Sequence, residues 1–264
     1  MKSNLKYAIL LVLLLFITNV NAITIPRNTN YKYGYSNKME GNTIIVSIFS
    51  SDINNKFDNS NKAMIFNNIE NSTNYLTNAV NKYNKKINFI YDKNDLNYYA
   101  NFNINIVDND VNLYKIQSDW IKKNINIDRI SYKYQANNIV FLFFVDTSYD
   151  NEVLPWTISK NKYNYIKIEY SNIYLKFKNT DTLSSIYAHE IMHQFGAHDL
   201  YNENIYINNN YVTYLNSIDS NDIMYKITDS KEIVNDFSEI DAYYVGLIDN
   251  SNIVEEYKLK ENDY

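Results

Sequence analysis

The stretch 189-HEIMHQFGAHDLY-201 decides how this chain is read. His189 and His193 stand four apart, so on an α-helix both imidazoles project from one face within reach of a single ion. Glu190 follows the first His directly and falls beside that ion without being a ligand. In an HExxH arrangement such a Glu serves as general base for a metal-activated water. Ala188, Ile191, Met192 and Phe195 occupy the other face, at spacings that pack the helix into a core. The spacing predicts an active-site helix over about 181–196, with Thr180 or Asp181 as its N-cap. Gly196 stands at the far end, where a left-handed residue ends a helix and turns the chain. The turn brings a third ligand in from another direction, and two residues compete for that place, His198 and Asp199. Zinc accepts both imidazole nitrogen and carboxylate oxygen, so chemistry leaves both open. All 3 histidines of the chain fall within this stretch.

The pattern resembles the metzincin zinc-protease signature H-E-x-x-H-x-x-G-x-x-H, whose last position is Asp in some branches. Counted from His189, that register makes Asp199 the third ligand. It leaves His198 as a group that supports a ligand or meets substrate. The ending 196-GAHDLY-201 is also similar to the Gly-x-x-Asp-x-Tyr ending of secreted bacterial peptidases of the snapalysin and immune-inhibitor types. The resemblance implies an α/β (α+β) zincin with a twisted mixed sheet and long helices, followed by a smaller C-terminal subdomain with a Met-turn. Met224, in 219-DSNDIMY-225, is the only Met after Met192 and follows turn-forming residues. It resembles the Met-turn residue. Some metzincins place a Tyr two residues after that Met; here Tyr225 is one residue after, so Tyr225 and Tyr201 are both weak candidates for that role. The resemblance further implies that an edge strand ahead of the helix binds extended substrate by strand addition, a part open to residues 163–170 or 172–177.

Elsewhere the signals are those of alternating strands and helices. The β-branched run 43-TIIVSIF-49 reads as a first strand. Residues 60–84 carry Ala63, Phe66, Ile69, Leu76 and Val80 at helical spacings and read as a long amphipathic helix. Strands are expected at 86-KINFIYD-92 and at 101-NFNINIVD-108, where Phe102, Ile104 and Ile106 alternate with Asn. A second helix is expected over 111–125. The run 139-IVFLFFV-145 fits a central strand buried on both faces, a buried helix being the other reading its periodicity allows, and 163–177 one or two more strands. After the motif helix come an irregular acidic segment and a last helix over 237–248. No repeat or linker divides the chain, so residues 23–264 read as one zinc metallopeptidase domain.

Residues 1–22 have Lys2 and Lys6 ahead of an apolar run and end in Val20-Asn21-Ala22, the layout of a cleaved secretory signal peptide. Its removal leaves a chain two charges more negative than the formal −5 of the whole. An acidic exported chain is a poor partner for nucleic acid. No second long apolar run predicts a membrane span in the mature chain, and a monomer is the simplest expectation. With 0 Cys, neither disulfides nor thiol chemistry is open to it. The acidic turns 108-DNDVN-112 and 146-DTSYDNE-152 match no calcium loop, so calcium is unsupported. The expectation is a secreted zinc-dependent endopeptidase acting on protein or peptide substrates with one catalytic zinc. The alternatives are a zinc amidase acting on a non-protein or cell-wall amide, and a secreted binding protein with a relic site.

Overall fold

The computed structural model describes residues 36, 38–53, 56–102, 111–145, 155–158, 168–175, 183–228, 230 and 232–260. The protein is a mixed α/β structure built on a mostly parallel sheet. The first strand, β1 (Gly41–Ser51), carries Ile and Val in alternation and is buried along most of its length. Helix α1 (Lys62–Asn81) returns the chain to β2 (Ile87–Ile90), which lies parallel to the first residues of β1. Strand β3 (Asn97–Asn101) then runs parallel to the last residues of β1, so β2 and β3 occupy one sheet position in succession.

Helices α2 (Val111–Asn124) and α3 (Ile127–Tyr134) lead into β4 (Asn138–Val145), all eight residues of which are buried. Strand β4 lies between β1 and β6 (Tyr170–Tyr174), parallel to both. Strand β5 (Trp156–Ile158) closes this edge antiparallel to β6. Among the described residues β5 pairs on one side only, which makes it an edge strand.

Two apolar layers sandwich the sheet. Ile44, Val46 and Ile48 face α2 and α3, whereas Ile45 and Phe49 face α1 and the motif helix α4 (Ser184–His193). This alternation is the period-2 consequence of a strand buried on both faces. Helix α4 lies close against α1, where the Ser72 hydroxyl donates to the Ser184 carbonyl (2.6 Å) and the Ser184 hydroxyl to Asn68 Oδ1 (2.9 Å). Beyond α4 come α5 (Asn209–Ser217), α6 (Glu239–Tyr244) and α7 (Asn252–Tyr257). Their apolar residues, including Tyr211, Leu215, Ile240 and Tyr244, join the core that α1 and α4 build.

Several sequence expectations change. The strand expected over 101–108 is found at Asn97–Asn101, and 103–108 lie outside the described residues. The motif helix begins at Ser184 with Leu183 as N-cap, so neither Thr180 nor Asp181 adjoins it, and its first turn is held by α1 instead. The segment read as irregular contains α5, whose Asn208 side chain caps it by accepting from the Tyr211 amide (3.1 Å). Strand β6 is interior among the described residues, so residues 172–174 do not supply the edge, while 176–177 and most of 163–170 lie outside the described residues. The leader 1–22, all of 146–152 and residues 108–110 of the other acidic turn also lie outside them, and Val111 and Asn112 open α2. No helix among the described residues is long and apolar enough to cross a membrane.

Candidate metal centre

The back of α4 anchors the site. Ala188, Ile191, Met192 and Phe195 are fully buried, so the opposite face of the helix has one fixed direction. The helix then ends in a Schellman motif: the Ala197 amide donates to the Met192 carbonyl (3.1 Å) and the Gly196 amide to the His193 carbonyl (2.9 Å). Gly196 has φ 102°, a conformation an L side chain rarely adopts. This turn swings Asp199 back over the helix.

Three atoms converge there. His189 Nε2 and His193 Nε2 are 3.0 Å apart, and Asp199 Oδ1 is 3.1 Å from the first and 3.3 Å from the second. The other nitrogen of each ring faces a carbonyl: His189 Nδ1 lies 2.9 Å from the Ile223 oxygen and His193 Nδ1 2.8 Å from the Ala197 oxygen. A carbonyl only accepts, so each Nδ1 carries the proton and each neutral ring turns an Nε2 lone pair inward. Two lone pairs and a carboxylate oxygen at such separations repel one another unless a positive charge lies between them. Ligands about 2.0 Å from a tetrahedral zinc ion stand about 3.3 Å apart, so the donor set fits that ion in kind and in spacing.

Glu190 is buried beside this triangle, its carboxylate within 4.8 Å of the ring nitrogens. Burial pushes its pKa up, against the pull of His193, His189 and a hydrogen bond from Thr157. The Thr157 hydroxyl donates to Glu190 Oε2 at 2.5 Å. For Asp199, burial is outweighed by His193 and His189, which, when protonated, attract the carboxylate and donate to it and so hold the carboxyl well below its usual range.

The remaining sequence candidates separate. His198 turns to an aromatic pocket, stacked on Tyr206 (4.2 Å between centroids, 11° between planes) and edge-on to Tyr244 (4.7 Å). Met224 is fully buried in a turn in which Asp222 Oδ1 accepts from the Met224 amide (2.7 Å). This turn touches the site twice. Its Ile223 carbonyl holds His189, and its Met224 carbonyl accepts from the amide of Leu200, the residue after Asp199. Tyr225 points away, its hydroxyl donating to Asn216 Oδ1 (2.5 Å). Tyr201 is 47% exposed beside Asp199, whose carboxylate adds to burial in raising the phenol's pKa.

Sequence reasoning missed Thr157 and the two carbonyls that fix the imidazoles. Carbonyl partners leave no side-chain signal, and the three-residue strand carrying Thr157 is too short for a period to show. No family model, no curated protein and no solved structure matches this chain.

Proposed function

We propose that the protein is an exported, zinc-dependent endopeptidase that hydrolyses peptide bonds with an activated water. The observation carrying this reading is the convergence of His189 Nε2, His193 Nε2 and Asp199 Oδ1 beside the buried Glu190 carboxylate. His189, His193 and Asp199 would hold the ion, and three protein donors in place of four suit a catalytic rather than a structural centre. Bound there, zinc supplies Lewis acidity and lowers the pKa of water. Glu190 takes a proton from the attacking water on a carboxylate oxygen and returns it to the leaving amine, a cycle requiring an ionised carboxylate at rest. The rings would not perform that task, because each Nδ1 proton is committed to a carbonyl and each Nε2 would hold the ion. The unpaired side of β5 gives an extended peptide a strand to add to, next to Glu190.

Export rests on the leader-like sequence of residues 1–22. The reading is tested on residues 23–264 by metal content and casein cleavage, for wild type and Glu190→Ala. The expected result is one zinc per chain in both and hydrolysis in wild type alone, with a loss of about a hundredfold or more in the variant. Zinc without proteolysis would favour a narrower amide substrate or a binding role. Absence of zinc would overturn the proposal.

A further inference from the structure

The Glu190 carboxylate terminates a hydrogen-bond chain whose far end is oriented by backbone. Phe141 precedes the first β4–β6 register pair, Leu142 with Ser171. Its backbone meets the Gln194 side chain instead. The Phe141 amide donates to Gln194 Oε1 (3.0 Å), and Gln194 Nε2 donates to the Phe141 carbonyl (3.0 Å). A backbone N–H cannot accept, so the Gln194 amide has only one orientation. The second Nε2 proton therefore goes to Ser171 Oγ, 2.7 Å away.

Ser171 Oγ lies 2.7 Å from Thr157 Oγ1 and 3.2 Å from the Glu190 carbonyl oxygen. Where the Ser171 proton goes to Thr157 Oγ1, the single Thr157 proton remains for Glu190 Oε2. Gln194, Ser171 and Glu190 are buried, and Thr157 between them is half-buried. With the protons placed so, every link is satisfied with Glu190 as the acceptor. A donor aimed at a carboxylate is a charge-assisted bond, stronger than its neutral counterpart.

We propose that Thr157 is the positioning residue for Glu190: its hydroxyl, oriented through Ser171 and Gln194, fixes Oε2 as an acceptor and leaves Oε1 to exchange the proton. Thr157 belongs to the edge strand, so an extended peptide paired to β5 would bear on the residue that holds the base. This inference rests on the peptidase reading for the role of Glu190, but the Thr157–Glu190 link can be judged without it.

The experiment has two arms. In the first, peptide hydrolysis and zinc content are measured for Thr157→Val and Thr157→Ser. The Val variant should keep its zinc, change KM less than about twofold and lose kcat about tenfold to a hundredfold, the scale of a misplaced reacting group. The Ser variant restores the hydroxyl and should return kcat to within about threefold of wild type. A kcat unchanged in the Val variant, or a loss carried by KM, overturns the proposal. In the second arm, thermal unfolding of chelated protein is compared for Thr157→Val alone and on a Glu190→Ala background, with Thr157→Ala in place of Val should Val not fold. The midpoint should drop only where Glu190 is present. Equal drops on both backgrounds overturn the link. Should wild type prove inactive, the peptidase reading fails, and this arm still decides whether Thr157 holds Glu190.

Discussion

His189 and His193 present their Nε2 atoms to each other at 3.0 Å, while the Nδ1 of each ring is committed to a backbone carbonyl. Two neutral imidazoles so arranged have no proton to share. Without a metal the remedy is a proton. Burial disfavours charge on His193, but the Asp199 carboxylate outweighs it and raises the pKa from 6.5 to about 9. A folded pKa above the unfolded one contributes stability that is complete below the unfolded value and lost as pH rises through the folded value. Chelated protein should therefore lose thermal stability between pH 6.5 and about 9, and Asp199→Asn should flatten that slope. Zinc should bind more weakly toward acid, as protons compete for the same nitrogens. Thermal scans across this range with and without zinc check both. A flat profile for chelated wild type would contradict the site as described.

Asp199 and His198 are adjacent in sequence and divergent in space. Asp199→Ala removes an atom of the donor triangle and should abolish both stoichiometric zinc and hydrolysis. His198→Ala removes a ring stacked on Tyr206 and should leave zinc in place. Its cost is to stability, about 0.5–1.5 kcal/mol for a ring pair beyond area burial. His198→Phe, which keeps the stack, should recover most of that. Zinc content and urea midpoints of the three variants separate the roles, and loss of zinc in His198→Phe would reverse the assignment.

Much of the site was legible in sequence because its signal is local. The spacing of His189 and His193 fixes their common face, and the apolar spacing of Ile191, Met192 and Phe195 fixes the direction of that face. The run 139–145 likewise carried its own evidence, being apolar enough for an interior strand or a buried helix, and it forms the strand. What stayed hidden depends on contacts distant in sequence. Thr157 meets Glu190 across 33 positions, and Ile223 meets His189 across 34. Helix α5 was illegible for another reason. Only Tyr211 and Leu215 of its nine residues are buried, and its Asn residues read as loop until Asn208 is seen to cap it.

Gly196 links the helix to Asp199 through its conformation. At φ 102°, a Gly196→Ala substitution puts a side chain into left-handed backbone, costing about 1–2 kcal/mol. The same turn holds the Ala197 carbonyl against His193 Nδ1, so strain there should reach the metal. The expected result is a lower urea midpoint with unchanged m-value, together with weaker zinc binding. A variant that loses stability alone would show that the turn relaxes without moving Asp199 or the carbonyl.

The turn under His189 rests on a second buried pair of acids. Asp222 Oδ1 accepts from the Met224 amide, and Asp241 Oδ2 accepts from the Ser238 amide (3.0 Å) at the start of α6. Both are almost wholly buried. Burial pushes the Asp241 carboxyl up, and the neighbouring Asp222 carboxylate pushes it further. Burial also raises Asp222. One proton shared by the pair satisfies both, because two facing carboxylates have only acceptors to offer each other. Tyr75 and Tyr83 of α1, Tyr211 of α5, and Asp236 and Glu239 stand around the pair and bring no positive charge, while His189 pulls the Asp222 carboxyl down without offsetting its burial. The folded pKa is raised, so the stabilisation is complete below the ordinary carboxyl value and falls away as pH rises through the folded value. Asp241→Asn supplies a permanent donor in place of the shared proton. It should be more stable than wild type at alkaline pH and flatter in its pH profile, with the difference shrinking toward acid. Urea midpoints of the two proteins from pH 5 upward test this. Parallel profiles would mean that the pair holds no proton and that another group neutralises it.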